Sequence, residues 1–190
     1  MSITVKDVFE KAMALCDYIG SDGKVLEADF ITVFRKRAPA LCDIVQRELI
    51  CYVKYQRDAE LDFANSKSLP LPEDFLSVVS LEPAAKSVIV GKKIEAVNGF
   101  SGKQRLVYLA SPAAVTEEND TFSFSDNEII STLPYYLAAV YMKDENASLS
   151  GELFSSYETA KSRLRLAQSQ GFFEDIADTV GTECGCCGTF

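Results

Sequence analysis

The apolar residues of this chain change their period twice. Over residues 4–62 they recur every three or four positions, the mark of amphipathic helices. Between residues 75 and 124 they come in short β-branched runs that read as strands. After Ser125 the helical spacing returns and continues to about Gln170. A chain patterned this way must fold helices from its two ends around or beside a β unit held between them. The expected class is α+β, mainly α: a four-helix bundle with an inserted small β-sheet or barrel and an extended C-terminal tail. The expected divisions are 1–66 (the first two helices), 67–125 (the β insertion), 126–170 (the last two helices) and 171–190 (a C-terminal arm).

The first helix places Val5, Val8, Phe9, Ala12, Met13, Leu15 and Cys16 on one side. Thr4 is its N-cap, with Asp7 three residues on completing a capping box. Gly20, Ser21, Asp22 and Gly23 form the following turn. The second helix begins near Glu27 and is expected to break near Ala38, because proline at 39 disfavours the α conformation before it. The basic triplet Arg35-Lys36-Arg37 would then be a solvated helix end, suited to the helix dipole. Helical spacing resumes at Leu41 and carries to about Asp62. Residues 65–72 read as an extended linker because of Leu69-Pro70-Leu71-Pro72. About four or five strands follow, centred on Phe75 to Leu81, Ser87 to Val90, Lys93 to Val97, Leu106 to Leu109 and Thr121 to Phe124. Asn98-Gly99 marks a tight turn. Ser125 or Asp126 caps the third helix, with Glu128 near its positive end, and Pro134 should kink it or start a turn. Leu153, Phe154, Tyr157, Ala160, Leu164 and Ala167 give the last helix its stripe, with Lys161, Arg163 and Arg165 toward its C-terminal end.

Composition removes whole classes of chemistry. The 190 residues contain no histidine, so no Ser-His-Asp triad, Cys-His dyad or histidine-ligated metal can be built within the chain. With 19 basic and 28 acidic residues, a net charge of −9 argues against a protein whose task is gripping nucleic-acid phosphates. No apolar run is long enough for a transmembrane helix, and the N-terminus does not read as a secretory signal. Reduced thiols are therefore the expectation for the six cysteines. Cys16, Cys42 and Cys51 fall in helical patterns and read as small buried hydrophobes. Cys184, Cys186 and Cys187 crowd the last seven residues. Three thiols leave a zinc site one ligand short, so metal binding, reversible oxidation and a packing role all stay open. Gly99-Phe100-Ser101-Gly102-Lys103-Gln104 lacks the glycine spacing and the Ser/Thr of a phosphate loop. Glu117-Glu118-Asn119-Asp120 reads as an acidic surface turn, not a calcium loop. No catalytic set emerges, so no enzyme activity, cofactor or metal is expected.

The tail carries four acids (Glu174, Asp175, Asp178, Glu183) and no bases. Phe172, Phe173, Ile176 and Val180 are apolar anchors without a local core, fit either for an arm that orders on binding or for packing at home as a continuation of the last helix.

Two segments carry a resemblance: Leu71-Pro72-Glu73-Asp74-Phe75-Leu76-Ser77-Val78 and Leu133-Pro134-Tyr135-Tyr136-Leu137-Ala138-Ala139. With the acidic turn Lys143-Asp144-Glu145-Asn146 and Tyr157-Glu158-Thr159-Ala160-Lys161, the chain resembles the head–tail adaptor (connector) proteins of tailed bacteriophages over residues 69–166. By helix order the likeness extends to about the first 60 residues. The long β region and the cysteine-ended tail depart from the simplest members. The resemblance implies a structural virion protein, made in the host cytoplasm and placed at the neck. It implies a dodecameric ring under the portal that extends the DNA channel, without sequence-specific DNA binding or membrane contact. The helices would form the ring body, with Tyr135, Tyr136 and Tyr141 packed inside it. The C-terminal segment would meet the portal or a neighbour through Phe172, Phe173, Ile176, Val180 and Phe190. The β insertion would dock tail or neck proteins through Phe100, Lys103 and Arg105. The alternatives are another neck or tail ring protein (terminator or stopper) and a thiol-based metal- or redox-responsive regulator.

Overall fold

A computed structural model of the chain describes residues 2–84 and 86–170. The described elements are helices α1 (Val5–Leu15), α2 (Asp29–Val53), α3 (Asp126–Met142) and α4 (Ala147–Gln170). Between α2 and α3 come strands β1 (Gln56–Asp62), β2 (Ser68–Pro70), β3 (Phe75–Glu82), β4 (Ser87–Val90), β5 (Lys93–Ala96) and β6 (Lys103–Ala110). The class is α+β, with helices at both ends of the chain and the strands inserted between them.

Local chemistry starts the helices where the sequence says it should. The Thr4 side chain accepts from the Asp7 amide while the Asp7 carboxylate accepts from the Thr4 amide, a complete capping box. Ser125 and Glu128 do the same for α3. Asn146 Oδ1 accepts from the Leu149 amide at 3.1 Å and opens α4. Each such cap is worth about 1 kcal/mol.

The helices share one core. Val5, Val8, Phe9, Ala12 and Met13 bury one face of α1, and Ile129, Leu133, Leu137 and Ala138 bury α3. Tyr136 packs on Tyr157 with ring centroids 5.3 Å apart, and Ser150 donates to the Ala139 carbonyl, so α3 and α4 run antiparallel. Phe34 meets Tyr141 at 5.0 Å and Tyr55 meets Phe124 at 5.6 Å, so α2 also runs antiparallel to α3. The strands form two three-stranded antiparallel sheets, ordered β1-β6-β3 and β2-β5-β4, and do not close into a barrel. They enclose a second core of Leu61, Phe63, Ile94, Leu106, Tyr108 and Ala110. Buried Gln104 fastens the β3–β4 connection by donating to the Pro83 carbonyl and accepting from the Ser87 hydroxyl.

Polar side chains join the two units. Gln46, fully buried on α2, donates to the Ala113 carbonyl at 2.9 Å and accepts from the Ser123 amide at 3.0 Å. Asp43 accepts from the Val115 amide at 3.0 Å and pairs with Arg47 at 2.8 Å. The segment between β6 and α3 is thereby held along α2.

Several expectations are corrected. The second helix does not continue to Asp62. Lys54 caps it in the left-handed conformation (φ 47°, ψ 55°), and Gln56–Asp62 is a strand paired with β6. The alternation of Asp58, Glu60 and Asp62 with Ala59 and Leu61 has the two-residue period of a half-buried strand. Nor does α2 break at Ala38. It runs through Pro39, because Ile31, Phe34, Ala38, Cys42, Val45 and Leu49 make one buried stripe on both sides of it, and tertiary packing outweighs a lost hydrogen bond. Arg35-Lys36-Arg37 accordingly lies mid-helix. Pro134 is likewise inside α3. Thr121 to Phe124 is not a strand. Thr121 forms only an isolated bridge with Thr4, while Phe124 enters the helical core. Finally, part of the expected linker is strand β2.

Candidate functional site

Of the expected docking residues of the β insertion, Lys103 and Arg105 lie on β6 and Phe100 precedes it. Gln104, Leu106, Tyr108 and Ala110 alternate into the core, so Lys103 and Arg105 project from the opposite face. Lys103 Nζ lies 2.5 Å from Glu60 and Arg105 Nε 3.6 Å from Asp58. Both bases are neutralised by exposed carboxylates across the β1–β6 ladder. Phe100 is half-buried against Phe63, ring centroids 5.9 Å apart, at the rim of the second core. The structure therefore does not bring the three together as one patch. The apolar exposure of this unit lies elsewhere, on β3 (Leu76, Val78, Val79) and β4 (Val88, Val90). β3 and β4 are edge strands of their sheets, and an apolar edge is a template for another chain.

The segment Leu71-Pro72-Glu73-Asp74-Phe75 is a structural corner. Asp74 accepts from the Tyr108 hydroxyl at 2.9 Å and from Arg57 at 2.7 Å, and its carbonyl accepts from the Ser111 amide at 2.7 Å. Phe75 then packs on Tyr108. The acidic turn at 117–120 is also structural. The Glu118 and Asp120 carbonyls accept from the Lys6 and Val5 amides, closing the N-terminal end of α1. Its Asp120 carboxylate is held below the ordinary aspartate range by the Thr116 and Glu117 amides.

A second surface lies on the helices. Phe30, Val33, Arg37, Ala40, Ile44, Arg47 and Cys51 recur at three- and four-residue spacing, so they line one face of α2. All are exposed, opposite the stripe that fills the core. Phe30 is 49%, Val33 59% and Ile44 58% accessible, unusually open for large apolar side chains on a long helix. Phe30 leans on Tyr18 and Tyr141, whose cluster is tied down by the Tyr18 hydroxyl donating to Glu145 at 2.7 Å. Bases flank this stripe. Arg35 pairs with Glu118 at 3.8 Å, whereas no ion pair joins Lys36 or Arg37 to another described residue.

The segment Tyr157-Glu158-Thr159-Ala160-Lys161 forms a charged knot between α4 and α2. Lys161 is buried, lies 2.7 Å from both Glu48 and Glu158, and sits over the Tyr157 and Tyr52 rings at 4.9 and 5.4 Å. The Tyr157 hydroxyl also donates to Glu48. Burial disfavours the Lys161 ammonium, but the bonds to Glu158 and Glu48 outweigh it and hold it above the ordinary lysine value. Burial, then the Glu48 charge, raises the Tyr157 phenol. The sequence signal for this knot was weak: Lys161 shares a face with Tyr157 and Glu158 at four and three residues, but Glu48 comes from a distant helix.

The thiols separate by environment. Burial pushes Cys16 and Cys42 up to about 12. Cys51, expected to be buried, is exposed on the outer stripe of α2. Among the described residues no group of three His, Cys, Asp or Glu could hold a metal ion, and no helix is long and apolar enough to cross a membrane. Cys184, Cys186 and Cys187, and the expected anchors Phe172, Phe173, Ile176, Val180 and Phe190, lie outside the described residues. No protein-family model matches the chain, and no curated protein is significantly similar to it.

Proposed function

We propose that this chain is a head–tail adaptor of a tailed bacteriophage. In this reading α1–α4 form the four-helix body of a ring, a dodecamer by the resemblance, placed under the portal, and the β sheets reach the tail or neck proteins. One observation carries the reading. Two of the segments that resemble the adaptors, residues 133–139 and 157–161, build the junction of α2, α3 and α4: Leu133, Leu137 and Ala138 in the core, and Tyr157, Glu158 and Lys161 in the knot with Glu48.

Two further features agree with it. Side-to-side contacts that close a ring need two different faces on each subunit, and the chain exposes apolar side chains both on α2 and on the β3 and β4 edges. A net charge of −9 on every subunit would make an assembled channel repel DNA phosphates, which suits passage without retention. No catalytic role is assigned to any residue.

Cryo-electron microscopy of purified particles from the source tests the reading. It expects a ring of this chain between portal and tail. Mature particles that lack the chain, or carry it elsewhere, overturn it.

A further inference from the structure

Among the described residues the outer stripe of α2 is left exposed, and the segment after Gln170 has the complementary chemistry. Phe173, Ile176 and Val180 recur at three and four residues, the spacing of Phe30, Val33 and Arg37 on α2. An amphipathic segment with such anchors can lie along an apolar helix face. Its acids Glu174, Asp175 and Asp178 match the exposed Lys36 and Arg37, which have no ion pair among the described residues. From these features we infer that residues 172–180 of one copy dock on the Phe30–Val33–Ile44 face of α2 in a second copy.

Chain geometry excludes docking of the Phe172–Phe173 pair on the same chain's α2 start. Both α2 and α4 run antiparallel to α3, so they point the same way. Lys161 meets Glu48, which stands about 27 Å along α2 from Phe30. Gln170 lies about 13 Å further along α4, on the side away from Phe30. The gap from Gln170 to Phe30 is therefore about 30 Å or more, whereas three residues of extended chain span at most about 11 Å. The aromatic pair reaches this face only from another subunit. This rests on the self-assembly in the proposed function, and it gives the ring one heterologous contact: the arm of each copy on α2 of the next.

The test uses the full-length chain with p-benzoylphenylalanine at Phe173, mixing isotopically light and heavy chains before irradiation. The expected products join a light arm to a heavy α2 within residues 30–44. Loss of that product in Val33→Glu and Arg37→Glu chains is also expected. Both side chains are exposed, so thermal unfolding of the variants should match the parent. Products confined to one chain, for example arm to its own α3 or α4, overturn the inference, as does the absence of any product in α2. Particle imaging separates the two claims. A neck ring whose cross-links avoid α2 refutes the arm contact and leaves the adaptor reading. Cross-links into α2 without a neck ring refute the adaptor reading and leave the arm contact.

Discussion

At the scale of single residues, the Lys161 knot is unequal on its two sides. The lysine side chain is only 8% accessible, while Glu48 and Glu158 are 44% and 45% accessible. Lys161→Met leaves two carboxylates that water can still reach, and should cost no more than about 1 kcal/mol. The double change Glu48→Gln with Glu158→Gln strands a buried ammonium and should cost about 3 kcal/mol. Urea unfolding of the two variants checks the order, and an equal or reversed cost would contradict this account. Thiol reactivity follows the same reasoning from exposure. In a background with Cys184, Cys186 and Cys187 changed to Ser, an aromatic disulfide reagent should label Cys51 rapidly in the native protein. Cys16 and Cys42, raised to about 12 by burial, should react only on unfolding. Digestion and mass spectrometry would show which thiol carries the label. Helical spacing puts Cys42 and Cys51 on opposite faces of α2, but only the packed direction of the helix decides which of the two faces water.

At the scale of elements, ends were legible where a side chain caps its own helix and illegible where distant packing decides. Thr4 with Asp7 and Ser125 with Glu128 are local signals, and both capping boxes form. Thr4→Ala should therefore lower stability by about 1 kcal/mol, read as a shift of the urea midpoint with unchanged slope. Pro39 misleads because its local penalty is set against a stripe of core residues on both sides. The strand at Gln56–Asp62 hides behind helix-compatible composition, and its partner β6 lies more than forty residues away in sequence. Gln46 is a case the pattern could not reveal at all. It is polar at a core position of α2, and its two bonds hold the backbone at Ala113 and Ser123. Gln46→Leu keeps the volume but removes the part-buried partners of the Ala113 carbonyl and the Ser123 amide, at about 1 kcal/mol each. Hydrogen exchange should then quicken at Ser123 before it does in α3.

At the scale of the whole molecule, acid and base act on different joints. Several aspartates are held ionised by contacts that unite parts of the fold. The Thr4 backbone and hydroxyl lower Asp7. Burial opposes the charge of Asp43, but Arg47 and the Val115 amide outweigh it. A carboxyl whose folded value is depressed contributes stability that is present above the unfolded value, 3.8 for aspartate, and is lost as pH falls through the folded value. Lys161 has the opposite sign. Its folded value is raised above 10.5, so its contribution is present below that value and lost as pH rises through the folded one. Net charge adds a third effect. With no histidine to titrate, the −9 charge is nearly constant from pH 7 down to the onset of carboxylate protonation, and self-repulsion eases only from there. Stability should therefore peak at about pH 5, where repulsion is reduced and the aspartate contacts are intact. Asp43→Asn isolates one joint. It loses the charge-assisted bonds to Arg47 and Val115, so it should be less stable than the parent at pH 7 by about 1–2 kcal/mol. As the pH falls through the depressed folded value of Asp43, the parent's carboxyl is protonated as well, and the difference should shrink toward zero. Urea titrations of both chains at steps from pH 7 down to the acid limit of the folded parent give the comparison. A gap that stays constant across that range would mean that Asp43 acts through its shape, not its charge, in holding residues 111–115 along α2.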